Sequence, residues 1–242
     1  MYEEGAPPGP LRGVARCVWR SASEGPKRIV PDGCVDLVLG DGAVFVAGPD
    51  TSAWSSVTRP GQVLRGVRLL PGRAAAVLGV AADELLDRRV PLAELWGWSS
   101  AERLLTGALS PAEAVAGRLA DLPPPDAAVA ELIARLDAGV SRVGEAAARP
   151  LPSAVGERRL RRRFVQAVGY GPATYLRVSR FQRAVALAPR VADLAALAAA
   201  AGYADQAHLS RDCRALTGLT PRAHFRRAST VDVAARDRLR SA

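Results

Sequence analysis

Two clusters of side chains in this 242-residue chain have the types and spacing to grip an anionic polymer. In the first, Arg158, Arg159, Arg161 and Arg162 surround Leu160, and Phe164 and Val168 continue an apolar line at helical spacing. In the second, Gln206, His208, Arg211 and Arg214 are interleaved with Leu209, Cys213 and Leu216, again one stripe of a helix. A helix built this way holds itself on a domain by its apolar face and turns its polar face to solvent. A guanidinium on that face suits phosphate, or guanine O6 and N7 as a bidentate pair, and a Gln suits adenine N6 and N7. A basic run on its own also describes any solvated helix face, and an uninvolved surface residue is the second reading of His208.

Charge adds weight to the first reading. The formal net charge is +9, and all of the surplus lies late in the chain. Residues 126–242 hold 20 Arg and no Lys against 10 acids, whereas residues 1–125 hold 13 basic and 14 acidic residues. A basic module joined to a near-neutral one points to a polyanion partner for the second half.

The elements that must position these residues can be read from pattern. Val35–Leu39 and Ala43–Val46 flank Gly40-Asp41-Gly42, a hairpin signal, and Val63–Leu70 reads as a further strand. From Pro71 short helical segments take over, at Arg73–Leu78, Ala82–Asp87, Pro91–Trp96, Ala101–Gly107 and Pro111–Asp121. Pro123-Pro124-Pro125 cannot continue a helix and marks the boundary. Beyond it Asp126 caps a helix to about Ala138, a short helix covers Val143–Arg149, and a basic helix runs from Glu157 to Val168. A long helix spans Pro172–Leu187, Asp193 caps Leu194–Ala201, Asp205 caps Gln206–Thr217, and a last short helix starts near Pro221. Short helix, turn, helix therefore occurs twice, about 49 residues apart between Leu160 and Leu209. Gly202 permits the second turn.

On these residues the chain resembles the AraC/XylS family of transcription regulators. Ala201-Gly-Tyr-Ala-Asp-Gln-Ala-His-Leu-Ser-Arg211, then Thr217-Gly-Leu-Thr-Pro221 and Phe225, is close to that family's signature. Arg159-Leu-Arg-Arg-Arg-Phe164, then Gly169, Pro172 and Tyr175-Leu176, matches its first unit, so the resemblance covers roughly residues 126–228. It implies two helix-turn-helix subdomains joined by the long helix, each placing a recognition helix in the major groove of one DNA face. By position it assigns base contacts to Arg158, Arg161 and Arg162 in the first unit and to Gln206, His208 and Arg211 in the second. Arg159, Arg163, Arg180 and Arg214 fall at phosphate or surface positions. The chain departs from the pattern in three places. Gly156 stands at a cap usually filled by Ser or Thr, Cys213 replaces a core phenylalanine, and Ala148–Gly156 is longer than the usual turn, with two prolines.

The first half is less specific. Arg28–Leu39, Val46-Ala-Gly-Pro49, Val67–Gly72 and Leu85–Trp96 resemble N-terminal domains of some AraC-type regulators, a likeness that names no ligand. The only histidines are His208 and His224, both in the basic half, which excludes a histidine-rich metal site of the cupin kind. Cys17, Cys34 and Cys213 show neither CxxC spacing nor an even count, so neither zinc nor a disulfide framework is expected. Asp32, Cys34 and Asp36 invite a redox or catalytic reading, yet a Pro-Asp-Gly turn explains Asp32, and strand alternation puts Cys34 and Asp36 on one face. Trp19, Trp54, Trp96 and Trp98 read as core or pocket lining. No Ser/His/Asp triad or phosphate loop supports an enzyme, and no cofactor is expected.

The expectation is thus an α+β protein, with residues 1–122 a sensing domain of short antiparallel strands followed by helices. Residues 123–125 form a linker, 126–228 an all-α DNA-binding domain and 229–242 a tail. The expected function is sequence-specific regulation of transcription on double-stranded promoter DNA. RNA polymerase, a small-molecule effector and a second copy in a homodimer are the compatible partners. The acidic, proline-containing N-terminus is not a signal peptide, and no apolar run reaches the roughly 18 residues of a membrane helix, so a soluble cytoplasmic protein is expected. Two alternatives remain: an alkylation- or thiol-responsive regulator using Cys34 or Cys17, and a nonspecific nucleic-acid-binding protein.

Overall fold

The computed structural model describes residues 1–22, 25–40, 42–140, 142–147, 156–191 and 193–225. Alternation of apolar and polar residues builds the first half into strands β1 (Tyr2–Gly5), β2 (Ala15–Ser21), β3 (Gly25–Ile29), β4 (Val35–Gly40), β5 (Ala43–Ala47), β6 (Trp54–Thr58), β7 (Leu64–Leu69) and β8 (Arg89–Pro91). Six of them form an antiparallel sheet in the order β1-β2-β7-β4-β5-β8, and β3 and β6 pair as a separate ribbon. The hairpin expected around residues 40–42 is present, with Leu37 opposite Val46 and Leu39 opposite Val44.

Period two gives the sheet two different faces. Val35, Leu37, Val44, Val46, Val67 and Leu69 enter one hydrophobic core. It is closed by short helices α1 (Ala74–Leu78), α2 (Leu92–Trp96), α3 (Trp98–Leu105) and α4 (Pro111–Ala116). The intervening Asp36, Val38, Phe45, Ala47 and Arg68 line the opposite face. Gly66 lets Trp19 lie across β7, because a Cβ there would stand 2.5 Å from the indole and 2.7 Å from the Leu37 carbonyl.

The short helices follow the expected order with three differences. The 82–87 segment is a single 3-10 turn at Ala82–Leu85, ended by Asp87 in the left-handed region at φ 56°. The 111–121 segment stops at Ala116 and resumes as a 3-10 turn over Leu119–Asp121; Ser110 and Glu113 form a reciprocal capping box at its start. The third helix begins at Trp98 rather than Ala101, since Gly97 at its N-cap turns the chain and Trp98 is exposed, which removed the apolar signal from its first turn.

The second half is helical: α5 (Ala127–Asp137), α6 (Val143–Ala147), α7 (Glu157–Val168), α8 (Pro172–Leu187), α9 (Leu194–Ala200) and α10 (Gln206–Thr217), with residues 221–225 also helical. Asp126 caps α5 by accepting from the Ala128 and Val129 amides, as its sequence position predicts. A second core gathers Leu132, Leu136, Leu160, Phe164, Val168, Tyr175, Phe181, Leu197, Leu209, Cys213 and Leu216 around α8. Val30 and Leu86 from the first half pack against it, so the two cores adjoin. The stretch expected to be an irregular turn, 148–155, and the tail at 229–242 lie outside the described residues, as does Asp41 of the hairpin loop.

Candidate nucleic-acid interface

The second helix-turn-helix unit is assembled by two aspartates and a glycine. Asp193 accepts from the Ala196 amide at 2.7 Å and starts α9. The chain then reverses through Gly202, whose φ of 87° is open to glycine and strained for other residues. The Tyr203 amide closes the turn on the Ala198 carbonyl at 2.9 Å. Asp205 accepts from the His208 amide at 2.6 Å and starts α10. Leu209, Cys213 and Leu216 are fully buried along one side, which fixes the rotation of α10 about its axis.

That rotation leaves Gln206, Ala207, Arg211 and Arg214 exposed, and with Ser210 they line one shallow surface depression. His208 sits at its edge. Its ring meets Tyr203 edge-on with centroids 5.0 Å apart, and Nε2 lies 3.8 Å from the Asp212 carboxylate. The imidazole is therefore drawn partly inward, whereas Gln206 and Arg211 reach outward. Cys213 is fully buried at the place of the core phenylalanine, its thiol set against Thr217 and the Leu219 carbonyl.

In the first unit Gly156 precedes α7 without a side-chain cap. Leu160, Phe164 and Val168 are buried, and Arg158, Arg159, Arg161 and Arg162 are all exposed. Among the described residues none of these four pairs with a carboxylate. Like charges three or four residues apart disfavour an isolated helix by roughly 0.2–0.5 kcal/mol a pair. Such a helix face is relieved by an anionic partner.

Two of the arginines expected at phosphate or surface positions are elsewhere. Arg163 forms an ion pair with Asp126, the cap of α5, and serves to bind two helices together. Arg180 is buried, with its guanidinium 5.3 Å over the Tyr203 ring. Both lie on the inner side of their helices, which a plain count of arginines does not register.

Residues 153–227 match a family described as a helix-turn-helix domain, of the AraC type. Over those residues the chain carries an AraC-type helix-turn-helix domain. It is a DNA-binding transcription regulator. Residues 3–91 match a domain of unknown function, DUF6597. A comparison with curated proteins returns no match. Among solved structures it is similar to ToxT from Vibrio cholerae O395, at 9% identity over 86% of this chain and 95% of that one, with a TM-score of 0.45. A 1.65 Å structure of Vibrio cholerae ToxT aligns at 8% identity over 93% of this chain and 97% of that one, with a TM-score of 0.46. ToxT bound to (E)-4-(8-methylnaphthalen-1-yl)but-3-enoic acid aligns at 7% identity over 94% and 99%, also with a TM-score of 0.46.

Sequence reasoning missed a second feature of this regulator, a cavity of about 330 Å³ between its halves. The polar face of the sheet, the β3–β6 ribbon and, from the helical half, Gln182, Val185 and His224 enclose it. Strand alternation could have indicated the polar face, but nothing local in the sequence brings α8 over it.

The Asp32–Cys34–Asp36 cluster forms one end of this cavity. Asp32 accepts from the Cys34 amide at 2.9 Å, which is the expected turn. Arg68 reaches Asp32 and Asp36 at 3.2 Å, and the Trp19 indole donates to Asp36 at 2.6 Å. Burial still pushes the Asp36 carboxyl up to about 6. It also pushes the Cys34 thiol well above its ordinary range and the Cys17 thiol up to about 11. Both sulfurs are held as thiols, whereas redox and alkyl-transfer chemistry needs the thiolate. Among the described residues no group of His, Cys, Asp and Glu is placed to hold a metal ion, and no helix is long and apolar enough to cross a membrane.

Proposed function

We propose that this regulator is sequence-specific, reading successive major-groove segments of promoter DNA with α7 and α10. The observation that carries the reading is the repeated rotation of the two helices. Each buries three apolar residues and exposes polar side chains on its other face, Arg158, Arg161 and Arg162 on one and Gln206 and Arg211 on the other, with Arg162 and Arg211 at the same place relative to Leu160 and Leu209. Arg159 and Arg214 are positioned to grip phosphate. His208 acts from the edge of its face, holding α10 through Tyr203 and Asp212. The reading divides the chain into a sensing domain at 1–122, a linker at 123–125 and a DNA-binding domain at 126–228. The cavity would take a small-molecule effector, and a homodimer, RNA polymerase and a cytoplasmic setting accord with such a role.

Hydroxyl-radical footprinting on the protein's own upstream DNA tests the two-helix reading. Two protected patches about 10 base pairs apart on one face are expected, one turn of the duplex. A single patch would leave only one helix engaged and contradict it.

A further inference from the structure

From the residue-by-residue match between α7 and α10, we infer that the DNA site has unequal halves. The half under α7 is made of G·C pairs alone, and the half under α10 contains an A·T pair. The inference rests on the two-helix reading above and deepens it by naming the bases each helix accepts.

The two helices match without a gap. Each is twelve residues long and ends on a glycine in the left-handed region, Gly169 and Gly218. Leu160, Phe164 and Val168 hold the places of Leu209, Cys213 and Thr217, and all six are buried. The shallow depression on α10 is lined by its first, second, fifth, sixth and ninth residues: Gln206, Ala207, Ser210, Arg211 and Arg214. The same places on α7 hold Glu157, Arg158, Arg161, Arg162 and Val165.

Only the sixth place is the same, Arg162 and Arg211. At the first, Gln206 offers a donor and an acceptor together, which suit adenine N7 and N6, whereas Glu157 carries acceptors alone. Glu157 is exposed and, among the described residues, makes no ion pair, although Arg161 stands one turn on. A free carboxylate facing DNA is repelled by phosphate, so an amino group on a base is the contact that favours it. Cytosine N4 provides one, whereas adenine sets its N7 acceptor beside N6. Arg158 and Arg161 each present the paired donors that guanine O6 and N7 accept. In their places on α10, Ala207 offers a methyl group, which suits thymine, and the Ser210 hydroxyl donates to the Gln206 carbonyl at 2.8 Å within its own helix. The ninth place lies away from the N-terminal end, whose residues read bases in a recognition helix. α7 therefore selects cytosine and guanine, while α10 combines adenine or thymine with the guanine of Arg211.

Selection of bound duplexes from a randomised pool by the full-length protein, read by sequencing, tests the inference. Two enriched blocks about one duplex turn apart are expected, one with G·C pairs alone and one with an A·T pair and a guanine. Arg161→Ala should lower the preference for guanine about ten-fold at one position of the first block and at none of the second. Glu157→Gln should change the favoured base at one position of the first block from cytosine to adenine, and Gln206→Glu should make the converse change in the second. A loss of stability would weaken every sequence alike and could not exchange one base for another. An A·T pair in the block that Arg161→Ala affects, or no change of base in Glu157→Gln, would overturn the inference and leave the two-helix reading in place. No enriched sequence, or a single enriched block, would overturn both.

Discussion

The guanidinium of Arg28, on the β3–β6 ribbon, donates to the carbonyl oxygen of Thr217, the last residue of α10. The neighbouring Leu216 carbonyl accepts from the Ala53 amide at 2.7 Å. The last carbonyls of a helix have no partner within it, and a cation there also favours the helix dipole. In this protein the first half supplies both donors. The helix proposed to read DNA is thus clamped at its C-terminus by the domain proposed to sense an effector.

Arg28→Ala should loosen that clamp without unfolding either core. Loss of a hydrogen bond from a charged donor should cost on the order of 1 kcal/mol. Hydrogen exchange of the amides in the last turn of α10 should speed up several-fold while α5 is unchanged. Exchange in α10 identical to the parent protein would show that the contact holds nothing.

Asp205→Ala removes the cap of α10, whose carboxylate accepts from the His208 amide. A stability loss of about 1 kcal/mol is expected in denaturant unfolding. Asp205→Asn, still able to accept, should recover most of it. If both variants lost the same amount, charge rather than capping would be at work.

Arg211→Ala should weaken the specific site by about 1–3 kcal/mol with little change on random DNA, as for a bidentate contact to guanine. Arg159→Ala should weaken both equally and reduce the salt slope by about 1. Competition binding separates the two, and an equal loss for Arg211→Ala would reassign that residue to phosphate.

His224 gives a pH dependence of known sign. Burial, and then the nearby Arg28 charge, hold its imidazole below the ordinary range, and the ring stands against Phe181 with centroids 5.3 Å apart. The unfolded chain takes up that proton near pH 6.5, before the folded protein does. The group's contribution is therefore present above that pH and is lost as the pH falls below it towards the folded pKa. Asp36, raised to about 6, acts in the opposite direction: its contribution is present below its unfolded pKa and lost as pH rises through about 6. Thermal unfolding of His224→Gln beside the parent between pH 7.5 and 5.5 isolates the histidine. The parent's stability should fall more steeply on acidification, and identical slopes would rule the group out.

Much of this molecule was legible wherever a local rule decides the outcome. Asp126, Asp193 and Asp205 cap the helices expected of them, and the Gly40–Gly42 hairpin closes as its residues dictate. The outward faces of α7 and α10 follow from three buried residues each. What was not legible depends on contacts distant in sequence. Arg163 and Arg180 look like their exposed neighbours, yet Asp126 and Tyr203 claim them. His208 is turned inward by Asp212 as well as Tyr203. The cavity and the Arg28 clamp need β3 and α8 to meet, and no local pattern encodes that. Cys34 drew interest for its place between Asp32 and Asp36; that it is buried, and that Arg68 bridges the two aspartates, depends on β7 lying beside β4.

The most direct measurement is the affinity of the full-length protein for its own upstream promoter DNA against a scrambled duplex, across a salt series. The account predicts a preference for the promoter of 10³-fold or more that persists at moderate salt, since base readout adds to counterion release. Equal affinity for both duplexes, falling steeply and in parallel with salt, would mean that the arginines of α7 and α10 touch phosphate alone, and would contradict it.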